Sequence, residues 1–180
     1  MLQITVEGRE LFDERTNEFV TVKSQTLQLE HSLVSISKWE AKWHKPFLSA
    51  DRQKTPEEAF DYYRCMTVNK NVDPMVYYCL SQKNQREIND YIENSATATW
   101  FSDKPKRGKR EVITSELIYY SMISLGIPFE CEKWHLNRLL TLIHVCAVKN
   151  QPSKKMSRND ILSRNRALNS ARRARSGSKG

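Results

Sequence analysis

The sequence predicts an α+β fold, predominantly α, in which a small N-terminal β-hairpin or sheet packs on a bundle of about five or six helices and a basic helical tail follows. Three observations carry this. Apolar residues alternate along the first thirty positions and take helical spacing after Glu30. Helix start and stop signals then recur from Thr55 to Pro128. The net charge of +8 gathers at the C-terminal end. The expected division is a neutral globular domain over residues 1–150 (strand-rich over 1–30, helical over 31–150) and a basic, conditionally helical tail over 151–180.

Within residues 1–30, "LQITV", "ELF", "EFVTV" and "TLQLE" are short β-favouring runs. Asp13, Thr16 and Asn17 supply turn-forming side chains between the middle two, so a hairpin is expected in a sheet of two to four strands. Beyond Glu30, Leu33, Ile36, Trp39, Trp43 and Phe47 fall on one stripe at ~100° per residue, with Lys38, Lys42 and Lys45 on the other side. Trp39 and Trp43 are expected as core anchors, and Pro46 as the stop.

Thr55, Pro56 and Glu58 form an N-cap, a first-turn proline and a capping-box acid. Asp73 with Pro74 opens "MVYYCLS", and Asn84 with Glu87 opens "REINDYIE", so three short helices are expected there. Thr114 or Ser115 caps "ELIYYSMISL", which Gly126 and Pro128 terminate. The most apolar segment, "CEKWHLNRLLTLIHVCAVK", reads as one helix in the middle of the core, with Trp134, Leu139, Leu140 and Ile143 as anchors. Its polar strip, Asn137, Thr141 and His144, needs partners. Ser157 or Asp160 caps the last helix, "ILSRNRALNSARRAR", whose Ile161, Leu162 and Leu168 give too little apolar surface to pack alone.

The charge separates two components. Twenty of the 29 bases and 20 of the 21 acids precede Lys154, so the body is neutral. From Lys154 onward Lys154, Lys155, Arg158, Arg164, Arg166, Arg172, Arg173, Arg175 and Lys179 face one acid, Asp160. Such a segment is either a solvated terminus or an arm for an acidic partner. A second cluster, Lys104, Lys106, Arg107, Lys109 and Arg110 around Pro105 and Gly108, has loop chemistry and is a further contact candidate on the body.

Groups suited to bond-making are sparse. Five glycines in the chain leave no G-x-G-x-x-G or P-loop pattern. The acids Glu57 and Glu58 sit where a helix N-terminus favours negative charge. Cys131 and His135, four apart on the expected helix, form the one thiol–imidazole pair with suitable spacing, and no further ligands complete a metal site, so neither catalytic residue, metal nor cofactor is expected. Cys65, Cys79, Cys131 and Cys146 lack C-x-x-C spacing and read as free thiols in a reducing compartment. The longest apolar run, Leu139 to Val148, is too short to cross a bilayer, and the first ten residues do not form a secretory signal.

The phrases "LQLEHSLVSISKWEAKWHKPF", "TATWF", "ITSELIYYSMISLGIPFECEKWHLNRLLTLI" and "KKMSRNDILSRNRALNSARRARSGSKG" together resemble the tail assembly chaperones of long-tailed bacteriophages (siphoviruses), small proteins encoded near the tape-measure protein. The resemblance runs over nearly the full chain. It implies a mostly helical, non-catalytic protein of the host cytoplasm that binds the tape-measure protein or other tail proteins while the tail tube polymerises, and that is absent from the finished particle. A structural virion protein of the tail or head–tail junction shares the same composition. So does a protein that contacts nucleic acid nonspecifically through its basic tail. Self-association is open on any of these readings.

Overall fold

The computed structural model describes residues 1–13, 17–49, 53–99, 101, 112–150 and 157–177. The fold is α+β and mostly helical. Four strands, β1 (Leu2–Val6), β2 (Arg9–Asp13), β3 (Glu18–Val22) and β4 (Gln25–Leu29), precede the α-helices α1 (Leu33–Trp43), α2 (Pro56–Met66), α3 (Gln82–Glu93), α4 (Ser115–Ser124), α5 (Leu136–Asn150) and α6 (Arg158–Ser176). Two 3₁₀ turns, Pro74–Cys79 and Phe129–Lys133, lie between α2 and α3 and between α4 and α5. The chain divides into two compact units, Met1–Val148 and Lys149–Gly180.

The strands form two antiparallel pairs, β1 with β4 and β2 with β3. Val6 faces Gln25 and Arg9 faces Val22, so both pairs keep one register and together make a single long ribbon with a break at Gly8. A side chain at Gly8 would meet the Val22 carbonyl oxygen at 2.6 Å and the Ser24 nitrogen at 2.8 Å. Only glycine lets the strands approach so closely there. Alternation then divides the faces: Ile4, Val6, Leu27 and Leu29 are buried beneath the helices, while Thr5 and Thr26 face outward. The outer edge of β4 is extended by the chain leaving α2, through Glu30 N–H to the Met66 carbonyl and Val68 N–H to the Gln28 carbonyl.

Helix α1 holds the body together, packing against α2, α4 and the Phe129–Lys133 turn. Its stripe is placed as its spacing predicts, with Leu33, Ile36 and Trp39 buried and Phe47 buried just beyond the helix end. Trp39 donates its indole N–H to the Glu58 carbonyl at 2.8 Å. Trp43 is half-buried, stacks on Trp39 and donates to the Asp61 carboxylate at 2.8 Å. The helix stops at His44, in the left-handed region at φ 51, two residues before Pro46.

The α2 cap forms as expected: Thr55 accepts from the Glu58 N–H and Glu58 accepts from the Thr55 N–H. Glu58 does more than answer a helix dipole, because it is 1% exposed and also pairs with Lys45, while Asp61 pairs with Lys42. Lys42 and Lys45, two of the three lysines expected away from the core, thus bind α2.

Three expectations are corrected. First, α3 begins three residues earlier than Asn84 and Glu87 suggest, because Ser81 is its N-cap and Asn84 closes the capping box. The segment opened by Asp73 and Pro74 is a 3₁₀ turn. Second, "CEKWHLNRLLTLIHVCAVK" is not one helix. Cys131 lies in a 3₁₀ turn, residue 135 makes an extended bridge to Ser32, and α5 starts at Leu136, whose N–H is held by the His31 carbonyl at 2.7 Å. Third, α5 is not the middle of the core. Leu136 and Leu139 are buried, whereas Trp134, Leu140 and Ile143 are half-buried and Val148 is exposed. The centre is occupied instead by α1, α2 and the inner ribbon face.

Candidate functional site

The polar groups inside the body converge on His31 and His135, whose rings lie edge to face at 5.2 Å. His135 Nε2 is 2.9 Å from the Tyr91 carbonyl, and its Nδ1 is 3.3 Å from the Asn137 N–H. A carbonyl only accepts and an N–H only donates, so the Nε2–H tautomer is fixed and both ring nitrogens are occupied. His31 Nδ1 is hydrogen-bonded to the Tyr62 hydroxyl at 2.6 Å. Burial, then the neighbouring His135 and Lys54, hold the His31 pKa at about 4. Cys65 borders a cleft of about 390 Å³ with Met1, Glu30, Lys38 and Met66, but burial, with the nearby Asp61, pushes its thiol up to about 11, away from the reactive thiolate. Glu30 there accepts from the Tyr91 hydroxyl at 2.6 Å. The Cys131–His135 pair is dissolved by the break between turn and helix, and all four cysteines are free thiols. Among the described residues no three His, Cys, Asp or Glu side chains are grouped to hold a metal. No helix of these residues is long and apolar enough to cross a membrane.

Asn137 and Thr141 of the α5 polar strip find hydrogen-bond partners within the fold. Asn137 donates to the Ile92 and Asn94 carbonyls, Thr141 donates to the Asn137 carbonyl, and the His144 ring packs on Phe101 at 4.0 Å. Asn137 thereby anchors α5 to the end of α3.

On α4 the body leaves an apolar strip toward solvent. In α4 the buried residues Ser115, Ile118 and Met122 share one side. At ~100° per residue, Leu117, Tyr120 and Ile123 fall on the opposite side. Tyr120 is 68% and Ile123 62% exposed, with Leu117 exposed beside them. Exposed Phe129 continues the strip, its ring 6.3 Å from that of Tyr119, whose hydroxyl is tied to Glu132 at 2.8 Å. A helix that is apolar on both sides normally lies between two layers, and this one has protein on one side among the described residues. Covering each of these side chains is worth on the order of 1–2 kcal/mol. A second, smaller apolar site is the cross-strand pair Phe12–Phe19 on the outer part of the ribbon, at 50% and 72% exposure and 5.2 Å between rings.

No protein family, curated protein or solved structure matches the chain.

The second unit is described by itself. Ser157 caps α6 by accepting from the Asp160 N–H, and Gly177 closes it at φ 63. Every residue of the helix is exposed. Arg164 and Arg175 share one side, Arg166 and Arg173 a second, and Arg158 and Arg172 lie between them, so the guanidinium groups spread over more than half the circumference. Ser163, Ala167, Ser170 and Ala174 occupy the remaining side. The result is a cationic rod without a fixed pocket. Lys154 and Lys155, like Lys104, Lys106, Arg107, Lys109 and Arg110, lie outside the described residues.

Two features escape a reading by core patterns alone. The outer face of α4 is signalled by "LIYYSMIS", where no side of the helix is polar enough to prefer water, once the run is laid on a wheel. Glu40, whose carboxylate accepts from Phe47 N–H at 2.7 Å and Ser115 N–H at 2.8 Å, ties the α1 exit to the start of α4. It carries no sequence signal of that role.

Proposed function

We propose that this protein is a non-catalytic escort of another macromolecule, and that it acts as a tail assembly chaperone holding the phage tape-measure protein before the tail tube closes around it. The observation that carries the reading is the outer face of α4, where Leu117, Tyr120, Ile123 and Phe129 stand in water on a well-anchored helix. A surface of this kind suits a partner that arrives as a helix with its own apolar stripe and must be shielded from aggregation. The cationic α6 adds attraction at a distance and lets contacts form and release quickly. The resemblance to tail assembly chaperones supports the same reading from the sequence side.

The test is copurification. Co-expressed with the tape-measure protein of the same phage, the tagged full chain is expected to bring it down in soluble form, and purified virions are expected to lack the chain. Recovery of the chain from mature particles in stoichiometric amount would place it among structural proteins of the tail or head–tail junction. Failure to bind the tape measure, with retention on nucleic acid that disappears on deleting residues 154–180, would favour the basic tail as the working part.

A further inference from the structure

We propose that α6 seats in the major groove of duplex DNA, with arginines on both phosphate walls and a line of asparagines on the base edges. The inference concerns the second unit alone and stands whether or not the escort reading holds.

The arrangement of charge around the helix carries it. At ~100° per residue, Arg164 and Arg175 lie along one flank of α6, and Arg166 with Arg173 lies along the other, nearly opposite. The arc between the flanks holds Arg158 and Arg172, with Asn165 and Asn169, four residues apart, along its middle. The side turned away from that arc is uncharged and small, made of Ser163, Ala167, Ser170 and Ala174. Asp160, the one acid from Lys154 onward, lies next to that small side, and its carboxylate accepts from the Ser157 hydroxyl at 2.7 Å. The helix is exposed along its whole length.

The width of the arc discriminates between polyanions. A plane of negative charge, whether a membrane surface or the face of an acidic protein, reaches one side of a rod, and arginines on opposite flanks do not meet it together. A groove encloses the rod and presents phosphates on both walls. The major groove of B-DNA is about 12 Å wide and admits an α-helix, whose diameter with side chains is about 10–12 Å. The major groove of duplex RNA is too narrow for side chains to read. A single strand is gripped through aromatic stacking, and α6 contains no aromatic residue. Each line of side chains suits its place in the DNA groove. Guanidinium groups on the flanks bond phosphate oxygens, while asparagine and arginine on the middle of the arc are the residue types that pair with adenine and guanine edges on the groove floor.

A fluorescein-labelled DNA duplex of about two helical turns, titrated with the full chain and read by anisotropy, tests this. The basic residues from Lys104 to Arg110 on the body also attract DNA, so the decisive comparison is between two α6 variants of equal net charge. Asn165→Glu puts a carboxylate on the groove-floor line, and Ala167→Glu puts it on the opposite side two residues along. Glutamate is a good helix former, and circular dichroism checks that both variants keep their helix content. Asn165→Glu is expected to weaken duplex binding about ten-fold at ~0.1 M salt, and Ala167→Glu about two-fold or less. Equal effects, including none in either variant, would overturn the proposal, because a count of charges would then explain the binding. A second comparison removes one flank at a time, Arg164→Gln with Arg175→Gln against Arg166→Gln with Arg173→Gln. Each pair is expected to lower the slope of log affinity against log salt by about two, since both walls are engaged at once. A slope changed by one pair alone, or by neither, would overturn the groove. Tighter binding to the single strand, to polyglutamate or to vesicles rich in phosphatidylserine than to the duplex would overturn it too and assign α6 to that partner class.

Discussion

Acidification from about pH 7 to pH 4 destabilises the body through His31. This imidazole is 3% exposed, faces Tyr62 from α2, His135 from the approach to α5, and Phe47 beyond α1. Burial first, then the neighbouring His135 and Lys54, holds its folded pKa at about 4 against an ordinary 6.5. Between these values the unfolded chain carries the proton and the folded chain does not. The unfolded state binds more protons, so stability falls as pH falls, beginning below about 6.5 and complete near about 4. At ~1.4 kcal/mol per unit the gap corresponds to about 3 kcal/mol, a large part of the stability of a domain this size. Urea unfolding followed by tryptophan fluorescence, at steps of about half a pH unit, measures it in the wild type and in His31→Gln. The amide keeps a hydrogen bond to Tyr62 and does not titrate. Groups remote from His31 contribute to both curves and cancel in the difference. The wild type is expected to lose about 3 kcal/mol more than the variant over this range. Parallel curves would refute the assignment of a neutral, buried His31.

Trp39→Ala is expected to cost about 3–5 kcal/mol, because it empties the centre of the α1–α2 contact and leaves the Glu58 carbonyl without its indole donor; a denaturant midpoint unchanged from wild type would contradict that placement. Glu40→Gln leaves one of two buried backbone N–H groups, Phe47 or Ser115, facing an amide NH₂, at a cost of about 1–3 kcal/mol, and hydrogen exchange is expected to accelerate at the first turn of α4. Gly8→Ala forces a methyl group against the Val22 carbonyl oxygen and the Ser24 nitrogen, both backbone atoms that cannot swing away; a loss of about 1–3 kcal/mol is expected in thermal melts, and an unaltered melt would mean the strands are not so close.

Local chemistry made much of this architecture legible. Strand alternation, the Trp39 stripe, the Thr55 capping box and the Gly126 stop act within one or two turns of chain, so the residues that decide them are adjacent in sequence. Where tertiary bonds compete, the local reading failed. His31 and Ser32 capture residues 135 and 136 and cut an apparently continuous helix at the Phe129–Lys133 turn. The run from Leu136 to Val148 looked central because apolar content measures the wish to leave water, and does not say which neighbour grants it. The same holds for α4, whose two apolar sides are equal in sequence while one alone meets the body. The buried polar set of His31, Tyr62 and Glu40 was invisible for a related reason, since each partner lies well away in sequence.

The single register shared by both strand pairs bears on the order in which the chain acquires its shape during synthesis. All pairings of the ribbon lie between residues 2 and 29, and the pair nearest the bend, Asp13 with Glu18, is separated by few residues. Hairpins of this kind close in ~1–10 μs, far faster than a ribosome adds the next amino acid. The bond from Leu136 N–H to the His31 carbonyl has to wait until more than a hundred further residues have been made. A nascent chain therefore carries a closed ribbon whose Leu27 and Leu29 stay uncovered until α1 and α2 have followed, and cellular holdases have their opportunity at this inner face in that interval.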